Sequence, residues 1–124
     1  MFKTLKEIQN RNYIEFQICK LNNKADIIFG MSKDIKFKKE DSLFILFSEI
    51  DTFEKSYNDL LDNGLLPDGN IYKGINLQSP TYYSKNESIL LIDRLKIKKP
   101  IDYEIFIKFL IEASDNNGFY LLSD

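Results

Sequence analysis

The sequence predicts an α+β fold, a mixed or mainly antiparallel sheet of five to seven strands with two principal helices, in one domain spanning residues 1–124. Three observations predict it. Strand-like segments recur along the chain, two segments combine helical spacing with helix-start signals, and clusters of Asn, Asp, Gly and Pro separate them. The length of 124 residues is that of one domain, and 44% hydrophobic with 29% charged residues are ordinary globular values.

Thr4, followed three residues later by Glu7, has the spacing of a capping box and predicts a short first helix. Residues 13–21 alternate, Ile14, Phe16 and Ile18 on one face and Glu15 and Gln17 on the other, as a half-buried strand requires. Asn22, Asn23 and Lys24 supply a turn, after which 25–31 reads as the returning strand. Another strand follows over 35–38, with Lys36 and Lys38 facing outward. The runs 42–50 and 88–95 are apolar on both faces, which predicts central strands covered from both sides.

Asp51 reads as an N-cap for a helix over 52–63, because Phe53, Tyr57, Leu60 and Leu61 recur at helical spacing before Gly64. Pro67, Asp68, Gly69 and Asn70 form a turn, since Pro presets φ and Gly accepts a positive one. A strand over 71–76 follows, and 80–84 is expected to be irregular because Pro80 has no amide to donate. Ser84 to Glu87 also has capping-box spacing, but the strand-like run behind it overrides that signal. Pro100 suits the first position of a helix reaching about residue 115. That helix has a polar stripe of Glu104, Lys108, Glu112 and Asp115, and an apolar arc wider than a one-sided surface helix needs. Either two elements bury the arc or part of it meets a partner. A last strand spans 119–122.

Composition narrows the chemistry. The longest aliphatic or aromatic run, 43–47, is far below the roughly 20 residues of a membrane-spanning helix. The first residues carry charge and no apolar signal core, so the expected location is the cytoplasm; the single Cys19 allows no internal disulfide. Histidine is absent, which removes the commonest general base and the commonest transition-metal ligand, and no glycine-rich phosphate loop is present. No catalytic residue, metal or cofactor is therefore expected. A net charge of −2 argues against nucleic acid as the partner.

Four constellations remain. Asp93 ends an apolar run and is either a paired strand-end carboxylate or an acid–base group. Cys19 reads as a buried structural thiol, with no base marked for it. Arg94, Lys96 and Lys98 share a strand face, as do Lys36 and Lys38, giving a solvated basic face or a nucleic-acid patch. Asp59, Asp62 and Asp68, followed by Tyr72, Tyr82 and Tyr83, are either a solvated helix face with core tyrosines or a partner-binding surface. In the second reading acidic groups steer a basic partner and tyrosines supply contact.

A small, acidic, histidine-free domain with tyrosine-bearing loops resembles the immunity proteins encoded beside bacterial toxins, including those of contact-dependent growth inhibition. The resemblance implies an inhibitor, not an enzyme, that binds a cognate basic toxin domain such as a nuclease and blocks its active-site cleft, as a monomer or weak homodimer. Two other readings stand beside it: a regulatory or scaffolding domain that self-associates or docks through the apolar face of the 100–115 helix, and a carboxylate-based enzyme acting through Asp93.

Overall fold

The computed structural model describes residues 1–23, 26–27 and 35–123. Strands β1 (Tyr13–Ile18), β2 (Leu43–Leu46), β3 (Gly64–Leu65), β4 (Ile71–Tyr72), β5 (Thr81–Tyr83) and β6 (Phe119–Ser123) form one sheet in the order β2-β1-β6-β5-β3-β4. Every pairing is antiparallel. Among the described residues, four helices of four residues or more accompany the sheet: α1 (Leu5–Ile8), α2 (Ile50–Tyr57) behind a 3-10 turn at Phe47–Glu49, α3 (Lys85–Lys98) and α4 (Tyr103–Asp115). The fold is α+β, as expected, with three helices of eight residues or more where two were foreseen.

The added helix is α3, expected as a strand over 88–95. The Ser84 side chain accepts the Glu87 amide at 3.1 Å and caps it. Leu91 and Leu95 turn inward, while Ile89 and Leu90 face solvent. Four successive apolar residues cannot share one helix face, which is why the run read as a strand. The capping signal, overridden in the sequence, was the informative one.

Both faces of the sheet are covered. On the helix side, Ile14, Phe16 and Ile18 of β1 meet Phe53 and Tyr57 of α2, Leu91 and Leu95 of α3, and Phe106 and Phe109 of α4. The aromatic centre is edge-packed: Phe16 lies 5.5 Å from Phe53 and 5.0 Å from Phe106 between ring centroids. On the other side, Ile8 of α1 packs on Tyr13, Phe44 and Leu46, and Ile27 and Ile35 cover Cys19, Tyr120 and Leu122.

This second covering corrects the half-buried reading of β1, all six residues of which are buried. Glu15 is 0% exposed. Its carboxylate accepts the Lys38 amide at 2.7 Å, the Lys39 amide at 3.1 Å, the Ser42 hydroxyl at 2.6 Å and the Gln17 amide at 3.1 Å. Residues 35–38 are consequently a loop and not a strand, because the Lys38 amide donates to the Glu15 carboxylate and the Lys36 carbonyl accepts from the Gln17 side chain, in place of a neighbouring strand. The strand foreseen over 25–31 falls almost wholly outside the described residues; of its two described positions, Ile27 donates to the Asn23 carbonyl in a helical turn.

Other boundaries shift for local reasons. β2 is an edge strand and not a central one, with its outer side bridged by Lys3, whose amide and carbonyl pair with Phe44 at 2.7 and 2.9 Å. α2 starts behind Glu49, leaving Asp51 in its first turn, and ends at Tyr57. Residues 81–83, foreseen as irregular, form β5, since Pro80 sits just before the strand, where a missing amide is tolerated. α4 starts at Tyr103 with Asp102 as its cap residue, so Pro100 precedes the helix.

Candidate functional site

Of the acidic residues and tyrosines singled out in the sequence, Asp62 and Asp68 flank β3 on either side and Tyr72 lies on β4, and local chemistry sets each position. The turn joining these strands is closed by the Leu66 amide to the Asn70 carbonyl at 2.9 Å. Asp68 accepts the Asn70 amide at 2.9 Å, and Gly69 takes the positive φ of 88° that the turn requires. Asp68 is therefore exposed at the hairpin tip.

Asp59 and Asp62 lie at the opposite end, in the segment that leaves α2. That segment is pinned from α3: Arg94 donates to the Leu60 carbonyl at 3.1 Å and to Glu87 at 2.6 Å, and Asn63 donates to the same Glu87 at 3.2 Å. On the other flank, Asn58 accepts the Ile75 amide at 3.0 Å, and the Gly74 amide reaches the Leu61 carbonyl at 2.9 Å. Asp59 is exposed, and Asp62 is half-exposed with one oxygen on the Asn63 amide at 2.9 Å.

β4 is the last strand of the sheet, and its two side chains point to opposite faces. Tyr72 pairs in register with Gly64 and lines a cleft of about 280 Å³ with Glu54, Ile75 and Leu77. Ile71 pairs with Leu65 and lines a groove of about 420 Å³ with Tyr82, Asn63 and Asn117 on the other face. Ile71 is 63% exposed and Tyr72 37%.

Tyr82 and Tyr83 separate in role. Tyr82 is half-buried, donates its hydroxyl to the Asn117 carbonyl and packs against Tyr120 at 5.6 Å. Burial, with a smaller effect of Cys19, pushes its pKa up to about 12. Tyr83 is not a surface residue. It is 0% exposed, stacked on Phe119 at 4.8 Å, and its hydroxyl donates to the Gly74 carbonyl at 3.3 Å. Burial first, then Glu87 and Asp62, raises its pKa above the tyrosine range. Tyr83 thus leaves the candidate site and joins the core. It also dictates Gly64, where a Cβ would come within 2.5 Å of the Thr81 methyl and 3.2 Å of the Tyr83 ring.

The other constellations are redistributed. Asp93 stands exposed on the outer side of α3 instead of ending a buried strand. Arg94 turns inward to Glu87, and the helix sets Lys96 about 200° from both Arg94 and Lys98, so the three share no face, while Lys36 and Lys38 lie in the loop over the opposite side of the sheet. The Cys19 thiol is 1% exposed and sits 3.3 Å from the Tyr120 hydroxyl. The apolar face of the 100–115 helix is also closed, since Phe106, Phe109, Leu110 and Ala113 are buried within the chain. Of the large apolar side chains of α4, only Ile105 and Ile111 are exposed.

Ile71 is the site residue that sequence reasoning missed, because an isoleucine in a strand reads as core. Its position straight after a tight turn, on a strand too short to be covered, was the available signal. Among the described residues no group of three or more Cys, Asp or Glu side chains is placed to hold a metal ion, and no helix is long and apolar enough to cross a membrane. Compared with protein-family models, curated proteins and solved structures, the chain gave no match in any of the three.

Proposed function

We propose that this chain is a protein-binding inhibitor of the immunity type, acting in the cytoplasm, which occludes a basic toxin domain such as a nuclease with its β3–β4 end. The observation that carries the reading is β4 itself: an edge strand with Ile71 and Tyr72 exposed on its two faces and carboxylates at both ends of the hairpin. An open edge offers main-chain groups, the two side chains offer area that loses water on contact, and Asp59, Asp62 and Asp68 steer a cationic partner. The segment bearing Asp59 and Asp62 is fixed by Arg94 and Asn58, so little order has to be gained on binding.

The test is co-expression with the toxin domain encoded in the neighbouring gene, scored as growth and as association rate of the purified pair. The chain should protect, and Asp59→Lys combined with Asp62→Lys should slow association about tenfold at low salt and flatten its salt dependence. Tyr72→Ala should act mainly on dissociation. Full protection and unchanged rates in the combined variant would assign binding to another surface.

A further inference from the structure

We propose that the outer face of the α3–α4 pair docks a second copy of this chain, the two related by a two-fold axis running along the helices. Of the eleven large apolar side chains exposed among the described residues, five lie on these two helices and Ile101 lies in the link between them, so the exposed apolar residues are concentrated here. Leu90, Asp93 and Ile97 recur on the outer side of α3 at spacings of three and four, and Glu104, Lys108, Ile111 and Asp115 do the same on α4. These are the spacings of a seam on which another helix can lie. Ile97 is 83% exposed, Leu90 49% and Ile111 50%.

Charge names the occupant. The outer side of α3 carries Lys85 and Lys96, while that of α4 is mainly acidic, with Glu104, Glu112 and Asp115. Each helix also holds one exception, Asp93 on α3 and Lys108 on α4. The ion pairs formed among the described residues involve none of these charges. The four-residue link 99–102 joins the two helices and sets residue 98 roughly level with residue 103. A two-fold axis along the helices preserves that level and lays α3 antiparallel on α4 of the second copy. Leu90 then meets Ile111 of the second copy, Asp93 meets Lys108, Lys85 meets Asp115, and Lys96 lies beside Glu104. Both exceptions fall opposite each other, so opposite signs meet in each of these charged pairs and the helix dipoles oppose. None of these residues belongs to the β3–β4 end, and this inference stands or falls apart from the functional reading.

Sedimentation velocity of the full chain over a concentration series, at low and high salt, tests it. The expected result is a reversible dimer that salt weakens. Asp93→Lys alone or Lys108→Asp alone should weaken it about tenfold, because each pair occurs twice, and the two together should restore it. Leu90→Asp should give a monomer with unchanged circular dichroism. A chain that stays monomeric at low salt up to about millimolar concentration, a dimer indifferent to the single reversals, or a double variant that fails to recover would each overturn the proposal.

Discussion

Glu15 shows how one residue organises a layer of the protein. Its carboxylate collects donors from β1, from the Lys38 and Lys39 amides and from Ser42, tying the loop over 35–42 to the centre of the sheet. Truncating it removes four acceptor contacts, leaving the buried Ser42 hydroxyl without this partner and releasing the part-buried Lys38 and Lys39 amides. Glu15→Ala should therefore cost about 3 kcal/mol in urea unfolding, and a loss under about 1 kcal/mol would mean that water already serves those donors. Nothing in the sequence marked this role, since a Glu alternating with Ile and Phe has the pattern of a solvent-facing strand position. Tyr82 and Tyr83 are the complementary case: adjacent tyrosines share a composition signal, and only the alternation of β5, invisible behind Pro80, sends one to a groove and the other to the core.

At the level of elements, the legible parts were those with local signatures. The capping box of α1, the strand at β1, the tight turn at 66–70 and the strand at 119–123 all follow from short-range chemistry, and all are present. What escaped was decided by contacts far along the chain. α3 was obscured because its outward side carries Ile89, Leu90 and Ile97, and its inward side carries the buried Glu87, whose burial makes sense only with Arg94 two turns along the same face and Asn63 opposite. The end of α2 at Tyr57 depends likewise on Arg94 and Gly74 capturing the carbonyls of Leu60 and Leu61. The cap itself is a direct test of the helix assignment. Ser84→Ala should lower stability by about 1 kcal/mol in thermal or urea unfolding, with Ser84→Asp close to the parent. A neutral Ser84→Ala would remove the cap from any account of how α3 begins.

For the whole molecule, four tyrosines give alkaline stability a characteristic shape. Burial is the leading cause of a raised pKa at Tyr57, Tyr82, Tyr83 and Tyr120, with nearby Asp102, Cys19 and Glu87 adding to it. Each holds its proton more tightly folded than unfolded, so the folded state binds more protons above pH 10, the ordinary tyrosine value. Stability from these groups is whole below that pH and falls as pH rises through about 12 for Tyr82 and beyond it for the others. Urea midpoints should change little between about pH 8 and pH 9 and drop steeply by about pH 11, with tyrosinate absorbance rising in step with unfolding. Ionisation of more than three of the seven tyrosines before unfolding would contradict that burial. The order of the sheet carries a different kind of consequence. β6 is the seam between β2-β1 on one side and β5-β3-β4 on the other, pairing with both β1 and β5. On a translating ribosome every partner of β6 has been made before it, so the nascent chain waits as two unjoined half-sheets with inner edges bare until residues 119–123 clear the exit tunnel. Chaperone dependence and aggregation of this protein should therefore be concentrated in that brief interval of synthesis.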